Sequence, residues 1–246
     1  MRLYDEIIHD ILTSLEKQDK HILPVGAAAD PVSRDWQDAG KAMMILQSDM
    51  AYELGGHNLP AVGNTLVTTG KDFVPEDEII LIGKDLPEIT EDTPYARIAL
   101  VRVAKDSIGT GDRLYNTIRN IGYFRYHIYP KGFMLRVSSS NDRKSVRVEA
   151  EALNEGLNFT AIGNAMLRAL HLHKEVEAVR IIFVTDPKVD YGRLQDGLKK
   201  TKQITATIDH MLKDVNMDCG SCGLQEICDE IEGLREMHFG MSEEHT

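Results

Sequence analysis

The residues best suited to chemistry are the three cysteines, and all of them fall within ten residues. They stand in Asp218-Cys-Gly-Ser-Cys-Gly-Leu-Gln-Glu-Ile-Cys228, and none occurs in the first 218 positions. Cys219 and Cys222 have Cys-x-x-Cys spacing, in which a tight turn eased by Gly220 and Gly223 can aim both thiolates at one ion. Cys228 follows at the expected start of a helix over 224–237, so a shared metal would tie loop to helix. A disulfide framework would leave one thiol over and would spread along the chain. A thiol redox pair normally opens a helix behind a first strand, which is not the context here. The spacing therefore points to one metal centre held by Cys219, Cys222 and Cys228.

Zinc and cubane iron–sulfur clusters both usually take four protein ligands. His238 is one candidate for the fourth, although ten residues of unbroken helix would carry it about 15 Å from Cys228. Gly233 offers a break that would bring it back. His210, on the polar face of the preceding expected helix, is the other candidate. An open or exogenous fourth position also fits three thiolates, as does a ligand from a second chain.

A second group is basic. From Arg102 to Arg147 there are ten Lys/Arg against three Asp, whereas residues 214–246 hold nine Asp/Glu and one Arg. Arg113, Arg119, Arg125, Arg136 and Arg147 are interleaved with Tyr115, Tyr123, Phe124, Tyr126 and Tyr129. Guanidinium forks bind phosphate bidentately and aromatics stack on planar rings, so this stretch suits a nucleotide-bearing ligand such as coenzyme A. A solvated basic face is the competing reading. The overall charge of −11 argues against a general nucleic-acid binder. The acidic tail beside a basic stretch makes self-association a further expectation. Gly109-Thr110-Gly111-Asp112 could cradle a phosphate but lacks the Lys and Ser/Thr of a phosphate loop. His171-x-His173 would chelate only on a strand, and a helix is expected there.

These groups need elements to hold them. Leu3, Ile7, Ile8, Ile11, Leu12 and Leu15 mark one face of a helix over 3–15. A second helix is expected over 36–46. Strands are expected at 79–82, 96–103, 133–137 and 179–185, and helices at 112–121, 149–155, 160–174 and 198–215. The irregular alternation gives an α+β fold: a mixed sheet packed with helices, a helical N-terminal segment and a cysteine-bearing helical tail. The expected division is a helical segment 1–50, an α+β domain 51–197 and a metal-binding tail 198–246. No apolar run reaches the roughly 18–20 residues of a bilayer span. Acids at Asp5 and Glu6 stand where a signal peptide needs basic residues, so a cytoplasmic protein is expected.

Several pieces, in order, resemble the middle region of acetyl-CoA synthase, the β subunit of the CO dehydrogenase/acetyl-CoA synthase complex. They are Tyr52-Glu-Leu-Gly-Gly56 with Pro60-Ala61, Ile82-Gly-Lys-Asp-Leu-Pro87, Glu151-Ala-Leu-Asn-Glu-Gly-Leu-Asn-Phe159 with Gly163 and Met166, and Ile182-Phe-Val-Thr-Asp186. In that family the next segment carries a four-cysteine [4Fe-4S] site bridged to a dinickel site. Cys219 and Cys222 look like its opening pair and Cys228 like its third cysteine, at shorter spacing. This sequence has neither a fourth cysteine nor the Cys-Gly-Cys that chelates nickel. The resemblance thus implies a truncated relative that keeps the middle domain and part of the cluster site, tipping iron–sulfur over zinc without implying acetyl-CoA synthesis. It also implies partners: coenzyme A, a corrinoid protein or a CO dehydrogenase component. A stand-alone enzyme using an open iron position, or a structural zinc holding an interaction tail, are the other functions these residues allow.

Overall fold

Two sheets share one apolar core. The computed structural model describes residues 3–26, 44–105, 112–123, 131–137 and 144–213. The larger sheet contains β1 (His21–Leu23), β3 (Ala61–Thr68), β4 (Glu78–Ile82), β5 (Tyr95–Val103) and β8 (Val176–Val184) in the order β1-β4-β8-β5-β3. Pairing alternates from β1 outward: antiparallel, parallel, antiparallel, parallel. The smaller sheet is antiparallel, with β2 (Met50–Leu54), β7 (Lys144–Glu149) and β6 (Phe133–Val137) side by side. Five helices accompany them among the described residues: α1 (Asp5–Ser14), α2 (Asp112–Tyr123), α3 (Ala150–Asn154), α4 (Phe159–Leu170) and α5 (Tyr191–Lys213).

The sequence patterns explain the layering. β5 and β8 are the central strands, and their near-continuous apolar runs reflect burial on both faces. α1 and α5 lie over one face of the large sheet. There Asn64 on β3 donates to the Thr201 hydroxyl at 3.1 Å, and the Thr68 hydroxyl donates to the Asp5 carboxylate at 3.0 Å. The two helices also touch each other, with the Tyr4 and Thr205 hydroxyls 3.2 Å apart. The other face receives α4 and the small sheet. Phe159 of α4 stacks on Phe183 of β8 with ring centroids 4.5 Å apart, and it packs against Tyr95 and Phe133 at 6.3 and 6.4 Å. Phe133 is the small sheet's contribution, standing with Tyr52, Leu54, Val146 and Val148 on its apolar side.

The turn after β4 binds these layers together. Gly83 has φ +107°, and a Cβ there would lie 2.5 Å from the Asp186 amide nitrogen, so only glycine fits. Asp85 Oδ1 then accepts from the amides of Leu86 and Phe159 at 2.7 and 2.8 Å, linking a short 3-10 turn (Leu86–Glu88) to the start of α4. The Tyr52 hydroxyl donates to the Leu86 carbonyl at 2.7 Å from the small sheet.

Partial burial raises the Asp85 carboxyl above its ordinary pKa, and its two backbone hydrogen bonds pull the other way. A raised folded pKa means the folded protein holds this proton more tightly than the unfolded chain. That stabilisation is present below the unfolded carboxyl's pKa and is lost as pH rises through the folded one. Asp85→Asn keeps an acceptor oxygen for both amides and removes the partly buried charge. It should unfold in urea no more easily than the parent at about pH 7, and its stability should fall less between about pH 4 and about pH 7. Asp85→Ala orphans both amides and should cost about 2 kcal/mol. Equal losses in the two variants would contradict this account.

The α+β class and the helical N-terminal element agree with the sequence reading. Two differences have physical reasons. The segment Lys144-Ser-Val-Arg-Val-Glu149 alternates polar and apolar residues and is strand β7, which turns residues 144–149 into the centre of the small sheet. The helix expected over 160–174 ends at Leu170 with His171 as its cap. His171 Nε2 lies 2.8 Å from an oxygen of Asp77, a carboxylate that also accepts from the Val179 amide at 2.8 Å. The His171/His173 pair is thus in a turn, and its first member secures the start of β8. Of the helix expected over 36–46, residues 36–43 lie outside the described residues, and 44–46 carry no regular secondary structure. Among the described residues no helix is long and apolar enough to cross a membrane.

Candidate functional site: an arginine–carboxylate face on the small sheet

Strand alternation gives the small sheet a polar side opposite its aromatic one. Glu53 on β2 pairs with Arg147 on β7, which pairs with Met134 on β6; Ser145 pairs with Arg136. Residues paired or two apart share a face, so Glu53, Ser145, Arg147, Met134 and Arg136 stand together. Glu53 is buried at 6 % exposure, which a charged side chain tolerates only with partners. Its Oε1 accepts from Arg136 Nη1 at 2.7 Å and from the Ser145 hydroxyl at 2.7 Å. Arg136 remains 46 % exposed.

Arg147 directs Nη1 to the Ile45 carbonyl at 2.9 Å, and its Nε is buried without a hydrogen-bond partner. The Ile45 amide meets the Met134 sulfur at 3.2 Å. Residues 44–46 therefore cross this face as a strap, with Ile45 buried and Met44 and Leu46 exposed.

The β2 end of the face continues into a histidine. Asp92 accepts the Glu53 amide on Oδ1 at 2.7 Å and sits 2.7 Å from His57 Nδ1 through Oδ2. A Cβ at Gly56 would approach that oxygen to 2.8 Å, so the Gly55-Gly56 turn admits the carboxylate. His57 has φ +50°, the one positive φ outside glycine among the described residues. Its ring is largely exposed, with Asp92 orienting it from one side.

Behind the face, on the core side, Lys144 and Arg97 are buried at 4 % and 3 % exposure. Lys144 Nζ donates to the Gly63 carbonyl and so links β7 to the outer strand of the large sheet.

Of the residues expected to form an anion face, the structure brings Arg136 and Arg147 together. Arg119 is exposed on α2, and the backbone of Arg113 lies in the same helix; Arg125 falls outside the described residues. Cys219, Cys222, Cys228 and His238 also fall outside them. His210 is half-buried near the end of α5. Among the described residues no group of three His, Cys, Asp or Glu side chains could hold a metal. Sequence reading passed over Glu53, Ser145, Asp92 and His57. The available signal was the alternation of 52–54 and 144–149, which puts Glu53 on the same face as Ser145 and Arg147.

The described body is thus an α+β protein in which a small antiparallel sheet presents paired guanidinium and carboxylate groups. The chain belongs to the CO dehydrogenase/acetyl-CoA synthase complex beta subunit family, whose model matches residues 37–189, more than half of its length. This relates it to carbon monoxide and one-carbon metabolism. The match includes both arginines of the face and Glu53, and it stops just before α5. α1 and α5, which pack on each other, both lie outside it. No curated protein matches the chain.

Proposed function

We propose that the chain is an acetyl-CoA synthase-like iron–sulfur protein, an accessory or binding module of carbon monoxide and one-carbon metabolism that works in the cytoplasm without a nickel site. The observation that carries this reading is the family match over 37–189 followed, thirty residues on, by a sequence segment holding every cysteine of the chain. In this reading residues 51–197 form the family-like domain, 1–50 a helical segment and 198–246 the metal-binding tail.

Three thiolates and one imidazole suit a [4Fe-4S] cluster or zinc, and His210 precedes the first cysteine by nine residues in the sequence. Cys219, Cys222 and Cys228 would hold the metal, with His210 or His238 as fourth ligand. The sequence supplies no cysteine beyond these for nickel.

The arginine face fits the second half of the role. Arg136 and Arg147 are diagonal neighbours across two strands, a placement from which two long side chains can reach one diphosphate. Coenzyme A is the proposed ligand class, and a corrinoid protein or a CO dehydrogenase component the proposed partner.

Anaerobic purification with iron, sulfide and zinc analysis tests the metal assignment. Iron and acid-labile sulfide in near-equal amounts, with a thiolate-to-iron absorbance band, are expected. A colourless protein with one equivalent of zinc would overturn it in favour of a structural metal holding an interaction tail.

A further inference from the structure

Glu53 is out of place on a face built to attract anions. A carboxylate there neutralises Arg136 and hydrogen-bonds Ser145, two donors that a phosphate oxygen would otherwise take. Both donors converge on Oε1 at 2.7 Å, the geometry of a bound oxyanion ligand. Arg147, directly opposite Glu53 in the sheet, gives Nη1 to the strap carbonyl of Ile45, and its buried Nε donates to nothing. One arginine is thus occupied by an internal anion, and the other keeps an unused donor beside it.

We propose that Glu53 is a built-in counter-anion that a phosphate-bearing ligand must displace from Arg136 and Ser145 in order to bridge Arg136 and Arg147. This rests on the anion-face reading given above. It makes Glu53 the residue that sets selectivity. A singly charged carboxylate offers Arg136 no more than Glu53 already does, and Glu53 is tethered, so it has the entropic advantage. A diphosphate carries more charge and can engage Arg147 at the same time, so it competes where acetate does not.

The test is calorimetric titration of the full chain with inorganic pyrophosphate and with acetate at low ionic strength. Glu53→Gln keeps a side-chain acceptor for Arg136 while removing the charge. It should bind pyrophosphate about tenfold tighter than the parent and should gain measurable acetate binding. Arg147→Met should weaken pyrophosphate binding at least tenfold in both backgrounds. Glu76→Gln, which removes an exposed acid just before β4 of the large sheet, should change neither and so controls for net charge. If circular dichroism shows that Glu53→Gln does not fold, Glu53→Asp replaces it. That variant leaves both donors in place and shortens the reach of the carboxylate to them, and a smaller gain of about threefold is expected. Pyrophosphate binding that is no tighter in the substituted protein, yet still lost in Arg147→Met, would overturn the displacement idea and leave the anion face standing. No binding in parent or variants, or binding indifferent to Arg147, would overturn the anion face itself.

Discussion

Phe159→Ala should lower the unfolding free energy by about 3–5 kcal/mol, a large share of the roughly 5–15 kcal/mol typical of a folded domain. Phe159 is fully buried and is the hub of the aromatic cluster. It stacks nearly parallel to Phe183 and Tyr95, and it meets Phe133 edge-on with an interplanar angle of 82°. Those three partners lie on two sheets, so the substitution would open a cavity at the point where α4, the large sheet and the small sheet meet. The backbone amide of Phe159, held by Asp85, is untouched by the change, so the loss would report packing alone. Urea unfolding followed by far-ultraviolet circular dichroism measures it. A loss below about 1 kcal/mol would mean that the cluster relaxes around the gap and is not the joint between layers.

The same variant should also disturb the arginine face. Arg136 and Arg147 are carried by strands whose opposite side rests on Phe159 through Phe133. A loosened joint would let the small sheet shift relative to the large one. Pyrophosphate binding should therefore weaken in Phe159→Ala under conditions where the protein is still folded.

The sequence made some of this legible and hid the rest for identifiable reasons. β5 and β8 announce themselves because central strands buried on both faces need near-continuous apolar runs, and Ile98-Ala-Leu-Val101 and Ile181-Ile-Phe-Val184 supply them. α1 and α4 are legible because one side of each is apolar at helical spacing. β7 was hidden by its composition. Lys144, Ser145 and Arg147 look like surface residues, and it takes the pairing with β2 and β6 to show that Lys144 points into the core while Ser145 and Arg147 line the opposite side. The arginines could be nominated from composition, but composition cannot say which of them meet. Glu53 escaped for the converse reason: within Tyr52-Glu-Leu-Gly-Gly56 nothing marks the acid as part of a site, and its role exists only through residues some 83 and 92 positions away. Asp92 and His57 likewise become a pair only when the Gly55-Gly56 turn folds back toward Thr93, where the Gly55 amide bonds its carbonyl at 2.6 Å.

The largest functional effect is expected at the cysteines. Cys222→Ser removes one of the two thiolates of the Cys-x-x-Cys pair and leaves Cys219 and Cys228, too few to retain a cluster that ordinarily takes four protein ligands. Iron and sulfide should both fall from about one cluster per chain to near zero in protein purified without oxygen. The body should survive the change. Among the described residues the apolar core runs from Leu3 to Ile208 through both sheets, and the family match ends at residue 189. The urea transition of the body should accordingly be the same in parent and variant, and pyrophosphate titration should be unaltered. His210→Ala then separates the fourth-ligand candidates. If His210 is the ligand, the cluster should become labile to oxygen or chelator while the three thiolates still hold it in part; if His238 is, only His238→Ala should do so. A Cys222→Ser protein with full iron and sulfide would sink the three-thiolate site. A body that unfolds together with metal loss would show instead that the metal supports the fold, making it a structural element of the whole chain and not of its tail.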